Sequence, residues 1–293
     1  MNSRMLTVAA ALTVAGLIGA GAAAAAPATV SGAGGNRIGT VRSDGDAHVK
    51  EGGLSALWTL ESSDIKQIAL SGDRIGVLKA NGDAYVKDGG LNAAWVKEAS
   101  NVKQIALAGN RIGVLKDNGN AFVKDGGLTA GWVHEAAQVK ELELSGDRIG
   151  IVQGNGDAFV KDGGLSAAWV YEGDNIVDID LAGNRIGVFT GDGRAYVKDG
   201  SLKAIYAKEG SDVIQLELSG DRIGILKDNG KAYVKDGGLN AAWAHEADNV
   251  IQIALSGNRI GILKGSGRAY VKDGSLTAAW SHQADNVTEL ALS

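Results

Sequence analysis

The tripeptide Arg-Ile-Gly recurs seven times along this chain, at Arg37, Arg74, Arg111, Arg148, Arg185, Arg222 and Arg259, always 37 residues apart. An aromatic series follows at the same interval: Trp58, Trp95, Trp132, Trp169, Tyr206, Trp243 and Trp280. No insertion or deletion disturbs the period. A chain of this kind cannot bury each unit alone. Repeats must stack on one another, which restricts the fold to a solenoid, a propeller or an array.

One repeat carries the signals of four short strands. Ile68-Ala69-Leu70 leads through Ser71-Gly72-Asp73 into Arg74-Ile75-Gly76-Val77-Leu78, and the Gly-Asp pair predicts a two-residue type II′ hairpin. Asn81-Gly82 predicts a second hairpin, of type I′ character, before Ala84-Tyr85-Val86-Lys87. A longer loop from Asp88 to Ala94 precedes a fourth strand over Trp95-Val96-Lys97-Glu98. Four antiparallel strands in 37 residues make a propeller blade.

The chain ends decide between an open array and a ring. Thr29 to Gly34 lack the apolar pattern expected before Arg37, so the first blade is one strand short. Val287-Thr288-Glu289-Leu290-Ala291-Leu292-Ser293 is a surplus copy of that strand at the far end. Ser293 holds the repeat position of Ser71, and the next residue in that register is Gly35. Residues 35–293 thus form seven whole periods. The expectation is an all-β, seven-bladed propeller whose C-terminal strand completes blade one. An open solenoid would need polar capping repeats, and the sequence has none.

Composition agrees: 44 Gly against one Pro point to many tight turns, and aromatics are only 5%. Zero Cys excludes disulfides and thiolate metal sites, leaving packing to hold the fold. Residues 1–26 read as a signal peptide, with Arg4, an apolar stretch from Leu6 to Ile18 and small residues from Ala22 to Ala26. Retention of Met5 to Ala26 as an anchor is the alternative. Residues 27–34 are a short linker. The expected location is outside the cell or in its envelope, and a monomer is expected. The formal charge of −5, without any basic stripe, argues against nucleic acid or an anionic membrane as partner.

Strand parity puts the Ser-Gly-Asp hairpin and the Lys-Asp-Gly-Gly loop on one face, the top. That face collects Lys50, Lys87, Lys124, Lys161, Lys198, Lys235 and Lys272. It also collects Asp88, Asp125, Asp162, Asp199, Asp236 and Asp273, with Glu51 in blade one, and the aromatic series from Trp58 to Trp280. An aromatic wall beside charged hydrogen-bonding groups can grip the C–H face and hydroxyl rim of a sugar. The same residues could instead fill the space between blades and pin loops by ion pairs.

Catalysis needs one place where the repeat is broken by an acid, base or nucleophile, and no such place stands out. The deviations are Tyr206 for Trp, Ser201 and Ser275 for Gly, Gln283 for Glu, and His48 for an aromatic residue. His134, His245 and His282 share one repeat position in separate blades and cannot converge on a metal. Turns such as Ser43-Asp44-Gly45-Asp46 lack the spaced ligands of a calcium loop. A non-enzyme without metal or cofactor is expected.

The Val-x-Gln-Ile-Ala-Leu strand, the Asn-Gly hairpin, Ala-Tyr-Val-Lys-Asp-Gly and the later Trp resemble the repeats of the tachylectin-2 and tectonin group of lectin-like propellers, over residues 35–293. The resemblance implies several equivalent sites for glycans of cell surfaces, one per blade or between blades. The Arg-Ile-Gly strand departs from that group's pattern, and the Pro-rich loop after Lys-Gly is absent. A protein-interaction or envelope scaffold is the other functional expectation.

Overall fold

The computed structural model describes residues 36–293. The expected signal peptide and linker, and residue 35, lie outside the described residues. Within them the chain forms 28 strands, numbered β1 to β28 in order, in seven antiparallel four-stranded sheets. The second blade is typical: β4 (Ile65–Ser71), β5 (Arg74–Lys79), β6 (Ala84–Asp88) and β7 (Val96–Ala99), in that spatial order. The first strands of successive blades touch one another in a closed circuit and line the central axis.

Blade one is assembled from both ends of the described chain. Its strands β1 (Arg37–Arg42), β2 (Ala47–Glu51) and β3 (Thr59–Ser62) are joined by β28 (Val287–Leu292), giving the order β28-β1-β2-β3. Ile38 pairs with Leu292, and Arg37 and Ser293 exchange two backbone hydrogen bonds of 3.0 Å. That is the place held by the Ser71–Arg74 pair in blade two. The closing strand therefore falls in the register counted along the sequence.

The core is divided into inter-blade seams. Ile68 and Leu70 of one blade pack with Val41, Val49 and Ala291 of the blade before, and the motif repeats around the ring. The glycine of Arg-Ile-Gly belongs to this packing. A Cβ on Gly76 would stand 3.0 Å from Ile105 Cδ1 of the next blade, and one on Gly187 only 2.6 Å from Leu216 Cδ2. Gly187→Val is expected to cost about 1–3 kcal/mol through overpacking, read as a lower denaturation midpoint in urea. An unchanged midpoint would contradict so close a contact.

The first hairpin matches the expected turn, since Gly72 takes φ +54 while Asp73 does not enter the left-handed region. The second hairpin is present, but its type differs from the I′ expectation. Gly82 alone has positive φ, and its N–H donates to the Lys79 carbonyl while the Lys79 N–H donates to the Asp83 carbonyl. This is a type I turn followed by a left-handed glycine, a wider loop that leaves the Ala80 N–H free to donate to Asp64 of the inter-blade link.

Candidate functional site

The strand β6 and the loop after it bring the lysine, aspartate and aromatic series together, but not at one solvent-facing groove. Lys87 points into the seam between blades one and two, where its ammonium meets the Glu61 carboxylate of β3 and the Leu91 carbonyl. It also lies 5.0 Å from the centre of the Trp95 ring. Both charged side chains are buried, at 1% and 2% exposure. Lys124–Glu98, Lys198–Glu172 and Lys272–Glu246 repeat the pair at 2.5 Å, and Lys161–Glu135 and Lys235–Glu209 complete the set. Such desolvated charges are tolerable only because each is paired, hydrogen-bonded and covered by a ring face.

The aspartates stand at the rim. Asp88, Asp125, Asp162, Asp199, Asp236 and Asp273 remain well exposed while accepting from the Arg Nε of the same blade at 2.9–3.0 Å. Glu51 takes the aspartate's place in blade one, accepting from Arg37 Nη2 at 3.1 Å and Nε at 3.3 Å. Each guanidinium also donates to a loop carbonyl of the following blade: Arg74 to Gly126, and Arg259 to Gly52 across the ring closure. The aromatic rings are half-buried over their lysines. The glutamates of the outer strands are the members that sequence reasoning missed. A lysine repeated in every blade beside a half-buried ring demands a carboxylate repeated at the same period, and that requirement could have found them.

Two seams depart from the pattern. Tyr206 replaces Trp, and its hydroxyl donates to Glu172 at 2.9 Å, adding a bond to the Lys198 pair. Burial and the neighbouring carboxylate raise the Tyr206 pKa. At the seam between blades seven and one, Gln283 stands where the others have Glu, so Lys50 has no carboxylate. Lys50 is 3% exposed, donates to the Leu54 carbonyl at 2.5 Å and lies 4.8 Å from the Trp58 ring. Burial, and then the Arg259 charge, lower its pKa. Gln283→Glu is expected to stabilise the fold by up to about 3 kcal/mol by restoring the missing countercharge, measured by urea unfolding. A loss of stability would show that the seam has adapted to the amide.

The axis breaks the symmetry more strongly. In most blades a glutamine on the first strand clamps the next blade: Gln67 donates to the Ile105 carbonyl at 3.1 Å and accepts from the Ile105 N–H at 2.9 Å. Glu141, Asp178 and Glu289 occupy that position elsewhere, and Glu143, Asp180 and Glu217 stand where four blades have Ala69, Ala106, Ala254 and Ala291. Burial, and for all but Asp178 and Glu289 the neighbouring carboxylates, push these six pKa values up, Asp178 to about 7. Glu143 and Glu217 each keep one buried oxygen without a hydrogen-bond partner. No group of three or more His, Cys, Asp or Glu residues among those described is arranged to hold a metal ion. His245 and His282 face Asp248 and Asp285 at 3.3 and 3.2 Å on the exposed rim.

No family model matches this sequence, and no curated protein does. Solved structures match its fold. Human WBSCR16 aligns with a TM-score of 0.65 at 10% identity, over 85% of this chain and 93% of that one. Prp20p from Saccharomyces cerevisiae aligns at 0.62 and 12% identity, over 89% and 86%. PorZ of Porphyromonas gingivalis, a bacterial surface component of the type-IX secretion system, aligns at 0.63 and 15% identity over 87% of this chain and 38% of its own. At these identities the likeness shows the fold alone: this chain is a seven-bladed β-propeller of sequence repeats.

Proposed function

We propose that this protein is an exported, non-catalytic propeller that serves as a docking platform for another protein. The observation that carries the reading is the burial of the repeated lysines in inter-blade ion pairs, which takes the strongest cationic groups of the top face out of reach of a ligand. A protein-binding role is in keeping with the fold's use elsewhere: yeast Prp20 has been crystallised with Kap60 and studied for binding to Gsp1p and histones. Export rests on the apolar segment at residues 6–18 and the small residues after it.

Glycan binding is the second reading, favoured by the ring of half-buried aromatic faces beside exposed aspartates such as Asp88 and Asp162. Immobilised full-length chain, exposed to an extract of its source and then to the purified captured protein, separates the two. Saturable binding of one defined protein, indifferent to simple sugars, is the expected result. Binding on a glycan array that free sugar competes away would replace the platform reading with the lectin one.

A further inference from the structure

The second residue of each first strand is the position that the fold releases from the strand ladder. In β4 the ladder shifts register between Ile65 and Gln67, so Lys66 is left outside the pairing and exposed. Around the lower mouth of the axis, at the ends of the strands opposite the Ser-Gly-Asp hairpins, the seven equivalents are Lys66, Lys103, Lys140, Val177, Ile214, Ile251 and Thr288. They sort into two arcs. Three successive blades carry lysines, Lys66 exposed and Lys103 and Lys140 half-buried with the Lys140 pKa lowered by that burial, and the next three present branched apolar side chains, exposed to 42%, 36% and 39%.

The two arcs are continuous. Lys140 Nζ donates to the Ile176 carbonyl at 2.8 Å, beside Val177, and Lys103 Nζ reaches the Val139 carbonyl at 3.4 Å, beside Lys140. Lys103, Lys140 and Val177 are therefore each about one lysine side chain's length from the next. Glu141 faces Lys103 and Lys140, and Asp178 faces Lys140, from within the axis; both carboxylates have pKa values raised by burial. The chain as a whole is acidic, so a cationic arc beside an apolar one is a local exception. Val177, Ile214 and Ile251 stand at the same position of the first strands of three successive blades, which pack on one another, so one sector of the mouth exposes branched apolar surface that water solvates poorly.

We propose that this lower mouth docks a segment of a partner protein in which branched apolar residues are flanked by Asp or Glu. The apolar residues would seat on Val177, Ile214 and Ile251, and the carboxylates would pair with Lys66, Lys103 and Lys140. This placement rests on the docking-platform reading and names its surface. Phosphate-backbone ligands fit less well, because half of the mouth offers them no cation.

The test uses three labelled synthetic peptides and the intact chain: an acidic peptide with Leu and Ile between Asp and Glu, its Lys-for-acid counterpart, and its Ala-for-apolar counterpart. The first should bind saturably, and both counterparts should bind at least roughly tenfold more weakly. The double variants Ile214→Asp/Ile251→Asp and Lys66→Glu/Lys103→Glu should each lose a similar factor, with circular dichroism confirming an unchanged fold. Equal binding by wild type and both variants, or displacement of the acidic peptide by oligodeoxythymidine, would overturn the proposal. A captured protein that binds both mouth variants as tightly as wild type would overturn the placement and leave the platform standing. Capture of no protein at all would instead sink the platform reading.

Discussion

A chain ending at residue 286 should lose its cooperative thermal transition and elute as soluble aggregate or higher oligomers. The seven missing residues do three jobs at once. They pair with β1 from Ile38 to Arg42, leaving an open edge on blade one when removed. They fill the seam with blade seven, where Val287, Leu290 and Leu292 pack with Ile38, Leu263 and Trp58. They also clamp blade two, because Glu289 accepts from the Ile68 N–H. Three fully buried aliphatic side chains at about 1.5–3 kcal/mol each already rival the roughly 5–15 kcal/mol stability of an ordinary domain. A chain permuted so that residues 287–293 directly precede residue 35 should melt like wild type, since Ser293 and Arg37 are already placed as a hairpin pair. Retention of wild-type melting by the truncated chain, or failure of the permuted one, would refute closure by this strand.

Mild acid should stabilise this protein. Glu141, Glu143, Asp178, Asp180, Glu217 and Glu289 have folded-state pKa values above those of the unfolded chain, so the folded state binds protons more tightly. Their contribution is fully present below the unfolded pKa, near 4. It is lost as pH rises through the folded values, of which Asp178 at about 7 marks the span. For Asp178 alone that amounts to at most about 4 kcal/mol. The melting temperature should therefore fall between pH 5 and pH 8. Glu143→Ala with Glu217→Ala should raise stability at pH 8 by roughly 2–4 kcal/mol and flatten the dependence. Alanine already serves this position in four blades, Glu143 Oε1 is buried without a hydrogen-bond partner, and the one bond that Glu217 accepts, from Gln215 Nε2 at 2.8 Å, leaves that amide still donating to the Ile253 carbonyl at 3.0 Å when it is removed. A flat profile for wild type, or a destabilised double variant, would mean that the carboxylates are compensated.

How much of this was legible beforehand differs from residue to residue. The pairing of Arg37 with Ser293 could be written down from the interval of the repeats alone. The pairing of Arg74 with Asp88 was foreseeable as one of two readings. The burial of Lys87 was not, because a lysine after an aromatic-Val strand looks equally suited to a groove or a seam. Its partner Glu61 precedes it by 26 residues and lies in another blade. Gln283 looked like a bland substitution until Lys50 was found beside it without a carboxylate. The hairpin at Asn81-Gly82 was expected and present, yet its turn type depended on the link at Asp64, which takes up the Ala80 N–H.

The ring, its seven blades and the strand that seals it could be counted on the linear chain, because a strict period and a register are one-dimensional properties. Whether a repeated charge builds the molecule or faces a partner could not. That depends on which side chains from different blades meet in a seam, as Lys161 and Glu135 do, or converge on the axis, as Glu143 and Asp180 do. Those encounters join residues tens of positions apart, and desolvation at the meeting point sets their energy. The two arcs at the lower mouth follow the same logic: Lys66 and Ile214 are each unremarkable in their own blade, and only closure of the ring sets them around one opening.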